Sequence, residues 1–96
     1  MTRVIYSPRA QADISQIWNY TTERWGLEQA DRYLRLIQAC IDAAAADPMR
    51  GTPCDHIRAG YRKLPVGSHV AFYRIVADQL DIKRILHARM DFVRHL

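Results

Sequence analysis

Apolar and polar positions in the last third of the chain alternate as a sheet requires. Strand-forming residues from Tyr61 lead to a turn at Gly67-Ser68. A second run spans His69 to Val76, Ala77-Asp78-Gln79 interrupts it, and a third spans Leu80 to His87. This pattern predicts a three-stranded antiparallel meander. In the middle run Val70, Phe72 and Val76 point to one side and Ala71, Tyr73 and Ile75 to the other, because successive side chains alternate across a strand. Both faces are apolar, so the sheet needs two covers. The residues before it offer one, a pair of helices, and a second molecule is expected to supply the other.

The spacing changes upstream. Ile14, Ile17, Trp18, Thr21 and Trp25 recur at three and four residues, with polar Gln11, Asp13, Gln16, Asn19 and Glu23 between them. A helix is predicted to run from Pro8, capped by Ser7, to about Trp25, where Gly26 stops it. Ala30, Tyr33, Leu34, Ile37, Ile41 and Ala44 mark a second helix from Leu27 to Asp47, closed by Pro48. Glu28 and Asp31 suit the positive end of its dipole. With so short a connection the two helices fold back as a hairpin.

Arg3 to Tyr6 reads as a short strand, expected to pair with an early strand of the meander. Met49 to Gly60 reads as an irregular loop, and Pro65 limits the first meander strand to an edge or a bulge. Asp91 is placed to cap a last short helix, Asp91 to Leu96. The expected architecture is a single α+β domain over residues 1–96. In it an N-terminal strand and an antiparallel helical hairpin pack on a twisted, mostly antiparallel sheet, with a short C-terminal helix.

Composition narrows the function classes. Hydrophobic residues make up 49% and charged residues 25% of the 96, which excludes a disordered chain. The formal charge of +4 favours acidic partners. Cys40 and Cys54 do not form a disulfide framework and read as reduced thiols. No signal-peptide core follows Met1 and no run has membrane-spanning length, so a cytoplasmic protein without membrane association is expected.

Candidate chemistry is sparse. Cys54-x-His56 with His69 and His87 matches no zinc spacing, so no metal and no cofactor is expected. No nucleophile-elbow pattern surrounds Ser7, Ser15 or Ser68, and there is no glycine-rich phosphate loop. A metal-free ribonuclease needs a base, an acid and cations to hold phosphate, and Asp55, His56, His69, His87, Arg62 and Arg74 supply those types. The competing reading makes Arg62, Lys63, Arg74, Lys83 and Arg84 solvated strand faces, and His87 a strand-end histidine with a backbone partner. In the final stretch Arg89, Met90, Asp91, Arg94 and His95 place cationic and apolar groups together, as a docking tail or a solubilising terminus does.

Several stretches taken in order carry a family likeness: Ser7-Pro8-Arg9-Ala10, Ile17-Trp18-Asn19-Tyr20 and Glu23-Arg24-Trp25-Gly26, then Arg50-Gly51-Thr52-Pro53-Cys54 and Ile57-Arg58-Ala59-Gly60-Tyr61-Arg62. Gly67-Ser68-His69-Val70-Ala71-Phe72-Tyr73-Arg74 and Ile85-Leu86-His87-Ala88-Arg89-Met90-Asp91 complete it. Over essentially its whole length the chain resembles the ParE branch of the RelE/ParE toxins of bacterial toxin–antitoxin modules. The resemblance implies a toxin that binds DNA gyrase and blocks replication without catalysis, neutralised by a ParD-like antitoxin in a hetero-oligomer. No direct sequence-specific contact with nucleic acid is implied. It points to Arg89, Met90, Asp91 and Arg94 for target binding, and to Arg62, Tyr73, Arg74 and His87 for antitoxin binding. RelE-like relatives instead cut messenger RNA on the ribosome, with His87 and Asp55 as the catalytic pair here. The chain departs from them: His69-Val70-Ala71 stands where they place a phosphate-holding arginine, and no catalytic tyrosine follows the last strand.

Overall fold

The computed structural model describes residues 2–96. Strand β1 (Arg3–Tyr6) leads into helices α1 (Pro8–Trp25) and α2 (Leu27–Ala46). A 3₁₀ turn at Pro48–Arg50 and a two-residue strand β2 (Thr52–Pro53) follow. Then come β3 (Tyr61–Val66), β4 (His69–Val76), β5 (Gln79–His87) and the one-turn helix α3 (Phe92–His95). Local chemistry sets these limits. The Ser7 hydroxyl accepts from the Ala10 amide to start α1. Gly26, at φ 91°, makes the break between the helices that a side chain would strain. Asp91 caps α3 by accepting from Val93.

The five strands lie in the order β1-β5-β4-β3-β2. β2 to β5 are antiparallel neighbours, but β1 pairs in parallel with β5, setting Val4 opposite Leu80 and Tyr6 opposite Ile82. The expectation that the first strand joins an early strand of the meander is therefore corrected. β4 already has a neighbour on each side and the outer edge of β3 is taken by β2, so β5 alone keeps a free edge for it. β2 itself lies inside the stretch expected to be irregular. Pro65 sits beyond the two positions, Arg62 and Lys63, where β2 pairs, so its missing N–H costs no ladder bond.

The hairpin covers one sheet face. Ala10, Ile17, Ile37, Ile41 and Ala44 pack against Leu64, Val66, Ala71, Tyr73, Leu80, Ile82 and Ile85. Burying a side chain such as Ile41 in that layer contributes about 1.5–3 kcal/mol. Trp25, expected on the packed face, is 66% exposed, and Asp13, expected among the polar positions, is buried.

The other face is closed by the chain itself. Val70, Phe72 and Leu86 pack with Cys54, and Ile57, Tyr61, Phe92 and Leu96 lie over them. The Phe72 and Phe92 rings meet edge to face at 4.8 Å. The expectation of a second molecule as the only cover is thus corrected for this half of the face. The far half stays open, where Ile5 and Val76 are each 39% exposed and Arg74 is exposed.

Candidate functional site

The centre of the molecule is an ion pair. Arg84 on β5 donates Nε to Asp13 Oδ2 at 2.8 Å and NH2 to Oδ1 at 2.9 Å, and the Ile85 amide donates to Oδ2 at 2.9 Å. Asp13 is inward because it lies three residues after Ala10 and four before Ile17, both buried positions of α1. The carboxylate raises the Arg84 pKa above its ordinary value, chiefly through the hydrogen bonds. Arg84, grouped from sequence with solvated strand faces, is instead a half-buried strut that also holds the His95 carbonyl at 2.8 Å.

A cleft of 290 Å³ opens beside this pair, between α1 and the end of β5, with Ile17, Tyr20, Leu86 and Met90 among its walls. His69 and His87, opposite each other in the β4–β5 ladder, stand at its edge with ring centroids 5.3 Å apart. Tyr33 reaches over from α2. Its hydroxyl accepts from the Ser68 amide at 2.9 Å and lies 2.6 Å from His69 Nδ1. Burial, the neighbouring His87 and, in the opposite sense, Asp13 act on His69, and the net effect lowers its pKa. The Tyr33 hydroxyl also reaches the Val66 carbonyl at 3.4 Å, and the His69 tautomer sets which of the two takes its proton. His87 Nδ1 accepts from the Arg89 amide at 3.1 Å, the backbone partner expected of a strand-end histidine.

The structure separates several residues that the sequence grouped. Asp55 accepts from the Gly60 amide at 2.8 Å, in the loop over the face opposite the hairpin, whereas His87 lies at the edge of the hairpin-side cleft. They do not form a catalytic pair. Arg62 donates to the carbonyls of Met49 at 3.3 Å and Gly51 at 2.5 Å. Tyr73 is 0% exposed; its hydroxyl donates to the Pro48 carbonyl at 2.7 Å and accepts from the Gly51 amide at 2.8 Å. Tyr73 therefore cannot contact an antitoxin in this fold, which corrects its expected role. Arg74 and His87 remain accessible.

Arg89, Met90, Asp91 and Arg94 form an exposed lip where β5 passes into α3, and of their side chains only Asp91, as the cap, makes a hydrogen bond among the described residues. Cys54 is buried, which pushes its thiol pKa up and leaves it unreactive. Among the described residues no group of three or more His, Cys, Asp or Glu side chains is arranged to hold a metal. Asp13 and Tyr33 went unassigned from sequence although helical spacing marked both: Asp13 is in step with Ala10 and Ile17, and Tyr33 is in step with Ala30 and Ile37.

The model of the ParE toxin of the type II toxin–antitoxin system parDE matches residues 4–92. The chain belongs to the ParE toxin family. This toxin is 51% identical over 96 residues to Toxin ParE1 of Mycobacterium tuberculosis, covering 99% of this chain and 98% of that one. It is 48% identical over 90 residues to Toxin ParE1 of Caulobacter vibrioides, covering 94% and 93%. Its fold is similar to a chain of the chromosomal ParDE TA system from P. aeruginosa, with a TM-score of 0.78, 22% identity and coverage of 91% and 96%. It also superposes on YafQ from E. coli, with a TM-score of 0.59, 15% identity and coverage of 92% and 94%. The α+β architecture is thus that of the RelE/ParE toxins. No described helix is long and apolar enough to cross a membrane.

Proposed function

We propose that this toxin works in the cytoplasm as a binder of DNA gyrase, stalling replication without catalysis, and that a ParD-like antitoxin holds it silent. The observation that favours binding over ribonuclease chemistry is the disposition of the charged groups. Asp55 and His87 lie on opposite sides of the sheet, and Arg62 gives NH1 to the carbonyls of Met49 and Gly51. Those are the acid–base pair and one of the two arginines that the sequence offered for cutting RNA. The exposed Arg89, Met90 and Arg94 lip, by contrast, has cations on either side of an apolar side chain, a combination suited to docking on another protein. The antitoxin has the open half of the sheet available to it, where Arg74 adjoins Ile5 and Val76, and also His87 at the cleft edge. An acidic antitoxin is steered to a chain of charge +4.

A supercoiling assay with purified gyrase tests the reading. Stoichiometric toxin is expected to inhibit, and the ParD-type protein of the same module is expected to restore activity. No inhibition, together with message cleavage that His87→Ala abolishes, would transfer the toxin to the ribonuclease class.

A further inference from the structure

A second cleft, 260 Å³ in volume, lies where β1 turns into α1, with His95 and Leu96 on one wall and away from His69 and His87. Its walls carry Arg9, Arg58, Lys83 and Arg84, and no acidic side chain among the described residues lines it. It is built rather than accidental. Opposite β4, Phe72 pairs with Arg84 and Tyr73 with Ile82, so Lys83 is an extra residue in β5. Such a bulge re-aims a side chain. The Ser7 hydroxyl fixes the bulge to the start of α1 by donating to the Lys83 carbonyl at 2.9 Å.

The cations divide by role. Arg84 is neutralised by Asp13 and acts as scaffold. Arg9 is exposed, and its side chain makes no hydrogen bond among the described residues. Lys83 faces Asp81 at 3.9 Å, at the outer limit of an ion pair. Arg58 gives NH1 to a terminal carboxylate oxygen of Leu96, the last residue, at 2.7 Å and lies 5.7 Å from the centre of the Tyr61 ring, with its remaining N–H groups unassigned. Arg74 approaches the same ring at 6.0 Å, and Lys63, opposite Phe72, lies on that face too, so the positive surface continues past the cleft. The N-terminus of the 18-residue helix α1 adds its positive dipole end.

We propose that this cleft and the cations beside it bind the phosphate backbone of a nucleic acid without regard to sequence. Phosphates repeating along a strand match cations spread over α1, the Arg58 loop and three strands, and guanidinium groups suit their geometry. The apolar walls of this cleft, Pro8, Tyr61 and Leu96, are fewer than its cationic ones, the reverse of the Tyr20, Ile17 and Met90 cleft. The proposal goes beyond gyrase inhibition and does not depend on it.

Fluorescence anisotropy with a labelled mixed-sequence DNA duplex, and with an RNA strand of the same sequence, provides the test. If Arg9, Arg58 and Lys83 each meet a phosphate, log K against log salt has a slope of about −2.7 for the duplex. The pair Arg9→Gln and Lys83→Gln is expected to weaken binding roughly tenfold or more and to flatten that slope by about 2. The control pair Arg24→Gln and Arg32→Gln, equal in net charge but on exposed helix surface, is expected to stay within about twofold of the parent. Whichever probe binds more tightly identifies the source of the phosphate. Equal weakening by both pairs, or an effect confined to binding of the ParD-type protein, would overturn the proposal. Should the double variant fold poorly, Arg9→Glu alone, at an exposed site, carries the same test.

Discussion

Asp13 and Arg84, 71 residues apart in sequence, form a two-point ion pair whose side chains are 8% and 13% exposed. The pair fastens α1 to β5, and Asp13 also satisfies the Ile85 amide. Removing one partner of such a pair leaves a buried charge uncompensated, which costs about 3–5 kcal/mol. Asp13→Ala is therefore expected to destabilise the toxin by about 3 kcal/mol in urea denaturation. Asp13→Asn, which keeps an acceptor but loses the charge, should fall between that variant and the parent.

The lowered pKa of His69 makes stability depend on pH in a definite sense. Burial disfavours the imidazolium in the folded state, so below the ordinary value of 6.5 the unfolded chain takes up the proton first. Stability is full above that value. It declines as pH falls through it towards the folded-state pKa, and then levels. Proton NMR should place the His69 midpoint below 6.5, and His69→Gln should flatten the melting temperature between about pH 8 and pH 5.

Gly51 lies where nothing larger fits, since a Cβ there would collide with the Tyr73 hydroxyl and ring. Tyr73 is held by two hydrogen bonds and cannot yield freely. Gly51→Ala is expected to cost about 1–3 kcal/mol by overpacking. Tyr73→Phe strands the Gly51 amide and the Pro48 carbonyl and should cost about 1–3 kcal/mol. Thermal melts of both variants check the pair.

The lip and the plug beneath it should separate in experiment. Arg89 and Arg94 hold nothing inside the fold through their side chains, so Arg89→Glu with Arg94→Glu should change stability by no more than about 0.5 kcal/mol. The same variant is expected to lose gyrase inhibition in the supercoiling assay. Phe92→Ala removes the ring packed on Phe72 and should lower stability by about 1–3 kcal/mol in denaturant unfolding.

Much of this architecture was legible from periodicity. Alternation in His69 to Val76 sorted the two sheet faces correctly, with Ala71 and Tyr73 under the helices and Val70 and Phe72 on the far side. Ser7-Pro8, Gly26 and Asp91 set element limits because each acts within a few residues of itself. What escaped was non-local. The pairing of β1 with β5 joins segments more than seventy residues apart, and no local pattern encodes it. Reading Asp13 and Arg84 as surface residues treated each charge alone, although each is drawn out of solvent by the other. Tyr73 was placed at an interface by likeness, and the hydrogen bonds that hold it inside come from Pro48 and Gly51, which carry no side-chain signal for such a role.

The parallel seam between β1 and β5 also orders events during synthesis. The first strand of the chain leaves the ribosome long before Gln79 to Ile82 exist to receive it. Until those residues emerge, one edge of the nascent sheet has no closing strand, and the lip that follows β5 has no platform. Closing the sheet therefore has to wait for Gln79 to Ile82, whatever order the earlier elements form in.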